Sequence, residues 1–274
     1  MQTPDQILIQ QLQALADEFK KKSASVLDNL VNQSIDRVKL AQLIAQLDFF
    51  KELQDQGLNL HLAEFFNSYN DQIKLLMDMA GAEGVRSALA INGNILEILK
   101  HVDAEMLLGH ASNFANNLKR QIVQGLVTGK TNPEIVKNMD EVNLTNTQLN
   151  TVVSTAYNDY GRAVVSATYQ DKPEQKFLYG EGREIDNPHI SEICRNALIL
   201  QAEKYSEGVT RKEIDNGLYQ GIDFIHGRGY NCSHSFFPAT EFAITLEKRR
   251  MAKAEKDADK VDYLYIKKPD TNGN

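Results

Sequence analysis

The sequence predicts an α+β protein that is predominantly α-helical, with a helical N-terminal part followed by a small mixed module that contains short strands. Apolar residues recur at helical spacing through the first half of the chain, and capping signals separate the segments. From Gly125 onwards the segments are shorter, and both cysteines fall between Phe177 and Pro238. We therefore expect a helical docking arm over residues 1–117, a mixed module over 118–240 and a charged helical tail with a terminal strand over 241–274.

Five apolar stripes predict the helices of the arm. Thr3 and Gln6 have the spacing of a capping box and Pro4 takes the first helical position, so the first helix begins here. Its apolar face comprises Leu8, Leu12, Leu15 and Phe19. The remaining stripes run from Val26 through Val38 to Phe50, from Leu62 to Ala80 with Asn59 as N-cap and glycines 81 and 84 as the break, from Val85 to Leu99, and from Asp103 to Leu126. Stripes of this kind form packing surfaces, within the chain or against a neighbouring subunit, far more often than cofactor sites.

Shorter elements are predicted in the remainder. Asn132 and Pro133 cap and begin a short helix, and the capping-box spacing of Thr145–Gln148 begins a longer one. The apolar face of that longer helix extends from Leu149 to Ala167 for about five turns. The other predicted elements are a strand at Lys176–Tyr179, a helix from Asn187-Pro188 that carries Cys194 on its apolar side, a tail helix from Ala239 to Lys260 and a strand at Val261–Ile266.

Composition limits the class of protein. The chain has 274 residues, of which 42% are apolar and 24% charged, as is ordinary for a soluble globular protein. The N-terminus lacks the pattern of a signal peptide and no apolar run is long enough for a membrane span, so we expect no membrane partner. The net charge of −7 disfavours strong binding to duplex DNA along the whole surface and leaves only a local patch for DNA. The densest basic cluster, Lys248-Arg249-Arg250, is interleaved with acidic residues and predicts a solvated helix face.

The segment Gly227-Arg228-Gly229-Tyr230-Asn231-Cys232-Ser233-His234 is the most specific local signal. Two glycines around one arginine indicate a sharp turn of the backbone immediately before a polar strand. On an extended strand the side chains of Cys232 and His234 point to the same face. Two potential metal ligands therefore lie side by side.

Three interpretations of the cysteines remain open. We favour two reduced thiols packed in the interior, because Cys194 occupies an apolar stripe and a buried thiol behaves as a small hydrophobe. Alternatively, Cys194, Cys232 and His234, together with His189 or Asp186, make a tetrahedral set of zinc-type ligands, although no Cys-x-x-Cys pair is present. A disulfide is the least expected in a reducing cytoplasm.

Signals for catalysis are weak. Thiol catalysis needs an aimed base, and His234 is not obviously aimed at the sulfur of Cys232. Glu181 and Glu184 are the candidate bases of a metal hydrolase, but they follow a predicted strand and are expected to be loop charges. His226 and Arg228 lie beside glycines, where an exposed turn is more common than a phosphate-binding site. We therefore expect that the protein is not an enzyme.

Several separated pieces of the chain resemble the phage head morphogenesis family, the phage Mu protein F-like minor head proteins. The pieces are Gly125–Lys130 with Asn132–Ile135, Thr155–Asn158 with Gly161-Arg162, Phe177–Gly180, Asp186–Arg195, Thr210–Ile214 and Gly227–Pro238. The family-like motif positions are Thr155, Asn158, Gly227, Arg228, Gly229, Tyr230, Asn231 and Pro238. The resemblance covers roughly residues 118–240. Ala156 stands where family members usually carry glutamate, so any role of that glutamate is absent here.

This resemblance implies a minor head protein of a tailed bacteriophage. Such a protein lies near the portal vertex or inside the capsid, after assembly in the host cytoplasm. Its expected partners are the portal protein, the major capsid protein and, through a local patch, the packaged DNA. Its expected role is in head assembly and in organising or ejecting the genome. Two other functions stay open: a zinc-binding enzyme or toxin-like module, and a free-standing helical adaptor.

Overall fold

The computed structural model describes residues 2–32, 36–145, 147–180, 190–224, 226–227, 232, 234–241, 243–245 and 248. Its helices are α1 (Pro4–Asn32), α2 (Arg37–Gln46), α3 (Phe49–Leu53), α4 (Asn59–Ala80), α5 (Ala82–Asn92), α6 (Asn94–Val127), α7 (Asn132–Asp140), α8 (Thr147–Thr168), α9 (Glu192–Lys204) and α10 (Arg211–Asp215). The strands described are β1 (Lys176–Gly180), β2 (Val209–Thr210) and β3 (Ser235–Pro238), which form an antiparallel sheet in the order β2-β1-β3. The prediction of a predominantly helical α+β protein is confirmed.

The first helix buries its predicted apolar stripe. The second predicted stripe, from Val26 to Phe50, does not lie on one helix face, because it is divided among α1, α2 and α3. α1 ends at Asn32, and α2 begins at Arg37 after Asp36, whose carboxylate accepts hydrogen bonds from the backbone amides of the new first turn. This restart changes the helical phase, so Val38 is 60% exposed while Leu40 and Ile44 are buried. Local capping thus overrode the longer apolar pattern.

Asn59 is not an N-cap. A π-helical turn over Gln54–Leu58, in which Gly57 has φ of 119°, leads directly into α4, and Asn59 itself has helical dihedral angles. Gly81 ends α4 as predicted, with φ of 90°, whereas Gly84 lies inside α5. The glycine at 57 supplies the left-handed backbone that turns the chain at this point.

The predicted break between Leu99 and Asp103 is also wrong, because α6 runs through it for 34 residues. Asp103 has the side chain of a helix cap, yet it is buried in mid-helix, where its carboxylate accepts a hydrogen bond from the Tyr69 hydroxyl of α4 at 3.0 Å. The predicted boundary at residue 117 falls inside α6, and one apolar core includes residues on both sides of it. The division into an arm and a module stays a prediction.

The helix predicted from Thr145–Gln148 is confirmed as α8. Its predicted apolar face is largely buried, and α8 packs against α1, α4, α5, α6 and β3. The short helix before it, α7, begins one residue earlier than predicted: Thr131 is its N-cap, and the Thr131 amide donates to the Glu134 carboxylate at 2.7 Å. α8 therefore connects the N-terminal helices to the sheet.

β1 matches the predicted strand and is the central strand of the sheet. It pairs with β3 from Phe177↔Pro238 to Gly180↔Ser235 and with β2 at its first two residues. Where β2 ends, the side chain of Gln201 from α9 hydrogen-bonds to the edge of β1. It accepts a hydrogen bond from the Tyr179 backbone amide and donates one to the Tyr179 carbonyl at 2.9 Å.

Three predictions near the sheet change. The helix that carries Cys194 begins at Glu192, not at Pro188, because Ser191 accepts a hydrogen bond from the Cys194 amide and caps the first turn. Cys232 and His234 lie just before β3, whose first residue is Ser235, and are not in a strand. Residues 241, 243–245 and 248 are helical, and the rest of the predicted tail helix and the strand at 261–266 lie outside the described residues.

None of the helices described is both long enough and apolar enough to cross a lipid bilayer.

Candidate functional site

The structure brings together three of the four predicted metal ligands. The Sγ atoms of Cys194 and Cys232 and a ring nitrogen of His234 all lie within 4.8 Å of one another. Each of these residues is only 3% exposed. Cys194 comes from the first turn of α9, and the other two come from the chain just before β3. No disulfide joins the cysteines. We call these three residues the Cys-Cys-His cluster.

Tyr179 of β1 contacts all members of the cluster. Its hydroxyl donates a hydrogen bond to Cys194 Sγ at 3.3 Å and lies 3.9 Å from Cys232 Sγ. Its ring stacks on the imidazole of His234, with centroids 5.3 Å apart and planes inclined by 23°. Burial raises the pKa of the Tyr179 hydroxyl well above its usual range, so the phenol stays protonated and able to donate.

Arg162 of α8 fixes the backbone that carries Cys232 and His234. Its Nε donates to the His234 carbonyl at 2.9 Å, and its Nη2 donates to the Cys232 carbonyl. Its Nη1 pairs with the Asp159 carboxylate one turn earlier at 2.5 Å. The guanidinium is 1% exposed, and a charge this deeply buried requires partners of this kind. Arg162 therefore presents the two ligand residues from a fixed backbone.

Gly227 completes the wall next to Cys232. Its φ is 57°, in the left-handed region. A Cβ at this position would lie 2.8 Å from Cys232 Sγ and 3.2 Å from Arg162 Cζ. Both the dihedral angle and the space thus require glycine here. Gly227 also lines an open pocket together with Tyr219, Asp223 and His226, so the cluster lies just behind a surface cleft.

The thiol of Cys194 is in its neutral form. The hydrogen bond to Cys232, followed by burial, raises the pKa of the Cys194 thiol. Burial also raises the pKa of the Asp159 carboxyl, against the opposing effects of His226 and Arg162. His226 Nδ1 lies 3.2 Å from the second oxygen of Asp159. A buried, protonated thiol is a poor nucleophile, so the surroundings of Cys194 do not favour its use in thiol catalysis.

The other predicted motif residues divide into two groups. Thr155 and Asn158 lie half-buried on α8, on the face that leads to Arg162, and Asn158 donates to the Ser154 carbonyl at 2.7 Å. Pro238 ends β3 opposite Phe177. Residues His189, Asp186, Glu181, Glu184, Arg228, Gly229, Tyr230 and Asn231 lie outside the described part of the chain.

Sequence reasoning gave no role to Arg162, Asp159 or Tyr179. The first two had a detectable signal, because Thr155, Asp159 and Arg162 recur at spacings of four and three on one side of a helix whose other side is apolar. A polar line of that kind on a buried helix predicts an internal hydrogen-bonded network. Tyr179 had no such signal, since its position relative to the cysteines depends on the tertiary fold.

No family model, curated protein or solved structure matches this chain. The resemblance to the Mu protein F-like family therefore stays a prediction from the motifs.

Proposed function

We propose that this protein is a minor head protein of a tailed bacteriophage, associated with the portal vertex and acting in head assembly and in the organisation or ejection of the genome. The observation that supports this proposal is the convergence of the family-like pieces. Arg162, Tyr179, Cys194 and Gly227 come from four separate pieces, and all of them contact the buried segment at Cys232 and His234 or one another. Pieces that form one packed centre are expected of a true motif set, whereas chance matches scattered along a chain need not meet.

The helical arm offers a surface for the portal protein. The first half of α6 exposes four apolar side chains at spacings of three and four residues: Ile95 (51%), Ile98 (62%), Val102 (47%) and Met106 (44%). We call these four residues the α6 face. Contiguous exposed apolar residues on a single helix face mark a protein-protein interface more often than an ordinary solvated surface. In this proposal the portal protein covers the α6 face, and the major capsid protein contacts the protein elsewhere.

The C-terminal module would have a structural role in the head rather than a catalytic one. Its thiols and imidazole are buried and held by the sheet, α8 and α9, which suits a centre that fixes a fold. The net charge of −7 agrees with a protein that meets packaged DNA, if at all, through a few local contacts.

Purified particles test the proposal. Virions from the source, purified through a density gradient and washed with high salt, would be analysed by quantitative mass spectrometry. We expect this chain at a fixed ratio to the portal protein across independent preparations. A variant phage lacking the gene should produce fewer infectious particles, and the gene supplied in trans should restore them. Absence of the chain from washed particles, or a ratio that varies like that of contaminating host proteins, would refute the proposal.

A further inference from the structure

We propose that the Cys-Cys-His cluster binds one zinc-class divalent ion, which joins α9 to the chain before β3. The ligands are the Sγ atoms of Cys194 and Cys232 and a ring nitrogen of His234. This is a structural metal site in an otherwise small sheet domain. It goes beyond the proposed role in phage heads and does not depend on it.

The distances fit such an ion. Zinc binds thiolate sulfur at about 2.3 Å and imidazole nitrogen at about 2.0–2.1 Å with tetrahedral angles, so its donors lie roughly 3.4–3.8 Å from one another. The three donor atoms here already lie within 4.8 Å of one another. A contraction of at most about 1.4 Å brings the three donors to these separations.

The charges fit as well. The two negative charges of two thiolates, with one neutral imidazole, balance the charge of a divalent ion, so the loaded site carries no net charge into the interior. The neighbouring charge on Arg162 is already paired with Asp159 at 2.5 Å. An ion at the cluster therefore leaves no unbalanced charge among these groups.

The surrounding residues provide the outer contacts that metal sites usually have. The Tyr179 hydroxyl donates to Cys194 Sγ, as a hydrogen-bond donor to a metal-bound thiolate would. The stacked Tyr179 ring holds the plane of the His234 imidazole. Arg162 holds the carbonyls of both Cys232 and His234, so the two ligands on this segment are presented from a fixed backbone.

The alternatives use fewer of these groups. A disulfide would use the two sulfurs but not the imidazole nitrogen beside them. Apolar packing would explain two buried thiols but gives no reason for an imidazole and a phenol hydroxyl to converge on the same point. Zinc uses all three donors, and its fourth position is left for a ligand from outside the three.

Metal analysis of the full-length protein tests the proposal. The protein would be purified under reducing conditions, loaded with zinc or cobalt, passed through a desalting column and analysed by elemental mass spectrometry. We expect about one metal ion per chain, and a cobalt spectrum with the thiolate charge-transfer and tetrahedral ligand-field bands of a site with two sulfur ligands. Removal of the ion with a chelator should lower the melting temperature, and zinc should restore it.

Matched variants locate the site. His234→Ala should weaken cobalt binding at least about tenfold, because loss of even an outer-shell partner of a ligand costs a metal site about 10–100-fold, and Cys194→Ser should remove one of the two thiolate contributions to the spectrum. His226→Ala is the control, because His226 belongs to the same loop region but contacts Asp159, not the cluster. Circular dichroism would establish that each variant is folded. If His234→Ala does not fold, Tyr179→Phe offers a second measurement: it keeps all three ligands, and we expect it to retain the metal with a shifted charge-transfer band.

Three outcomes would overturn the proposal: folded, reduced wild-type protein that retains no zinc or cobalt; a chain purified from the cytoplasm whose mass is lower by two hydrogens, which indicates a disulfide; or equal metal retention by wild type and folded His234→Ala. Metal retention is measured on the isolated chain. Failure of this proposal is therefore distinguishable from absence of the chain from phage particles.

Discussion

Arg162 connects α8 to the candidate site, because its guanidinium binds the backbone carbonyls of two cluster residues, Cys232 and His234. A lysine could not reproduce this arrangement, since an ammonium group lacks the planar fork that serves Asp159 and two carbonyls simultaneously. Gly227 has no side chain, and this leaves room for both the Arg162 guanidinium and Cys232 Sγ. The site thus depends on one large side chain and on one position without a side chain.

Gly227→Ala should destabilise the protein more than a substitution that only strains the backbone. Alanine at φ of 57° costs about 1–2 kcal/mol by itself. Here its Cβ would also lie 2.8 Å from Cys232 Sγ and 3.2 Å from Arg162 Cζ, so the cluster or the arginine must move. We expect a total loss of about 2–4 kcal/mol in the free energy of unfolding, measured by urea denaturation.

Gly217→Ala is the matched control for this prediction. Gly217 also has a positive φ, 86°, but a Cβ there would meet no atom within 4 Å. The control should therefore show the backbone cost alone. Equal losses for the two variants would contradict the steric role assigned to Gly227.

Asp103 should make stability depend on pH. Burial raises its pKa to about 6, against a smaller lowering by the Tyr69 hydrogen bond. A carboxyl whose pKa is higher in the folded state than in the unfolded state binds protons more tightly when folded. It therefore favours the folded state most at pH below its unfolded value of about 4, and this contribution is lost as pH rises to about 6 and stays lost above it.

Asp103→Asn removes this titration and keeps an oxygen that accepts from Tyr69. Relative to wild type, the variant should gain on the order of 1–2 kcal/mol of stability between about pH 4 and pH 7. Denaturation curves at several pH values would measure the difference, and Asp78→Asn, at an exposed position on the same α4 that carries Tyr69, is the control. A difference between wild type and Asp103→Asn that stays constant over this range would sink the prediction.

At the level of elements, the edge of β1 is completed by a side chain instead of a strand. β2 pairs with only the first residues of β1, and Gln201 of α9 then satisfies both the amide and the carbonyl of Tyr179. The Tyr219 hydroxyl also donates a hydrogen bond to the side-chain oxygen of Gln201, Oε1, at 3.2 Å. Since β1 carries Tyr179, this arrangement ties the helix that carries Cys194 to the strand beneath the cluster.

Gln201→Leu should therefore be costly despite its similar size. It would leave a buried backbone amide, a buried carbonyl and the Tyr219 hydroxyl without this partner, which costs about 2–4 kcal/mol in total. Thermal and urea unfolding would measure the loss. Gln175→Leu is the control, because Gln175 donates to the Lys176 carbonyl at 2.7 Å in an exposed position, where water replaces the lost bond. A Gln201→Leu variant as stable as Gln175→Leu would show that α9 is not fixed in this way.

The elements also show how far the sequence predicts this structure. α8 and β1 were predictable because their periodicity, caps and lengths agree. The break inside α6 was predicted wrongly because Asp103 has the side chain of a cap but pairs with Tyr69 from a helix more than thirty residues earlier. Cys194, Cys232 and His234 could be placed in one candidate ligand set because of their residue types, whereas Tyr179 and Gln201 could not, since their roles depend on contacts between elements that are distant in sequence.

At the level of the whole molecule, the arm and the module share one apolar core through α8. The module is therefore not joined to the arm by a flexible linker alone, because packed side chains connect the helices of the arm to the sheet. The α6 face, by contrast, is exposed to solvent. In the proposed role at the portal, docking through the arm would therefore hold the module in a defined orientation.

Ile98→Glu should separate docking from folding. Ile98 is 62% exposed, so a charge there should change the free energy of unfolding by no more than about 0.5 kcal/mol. In a partner interface, however, the same carboxylate would be desolvated without a cation, which should reduce incorporation into phage particles at least about tenfold.

The control is Leu43→Glu, which places the same charge at a 51% exposed leucine of α2, outside the α6 face. Copy number per portal in purified particles, together with the melting temperature of each isolated variant, gives both measurements. Normal incorporation of Ile98→Glu would exclude the α6 face as the portal contact, and an equal loss for Leu43→Glu would show that the effect is not specific to that face.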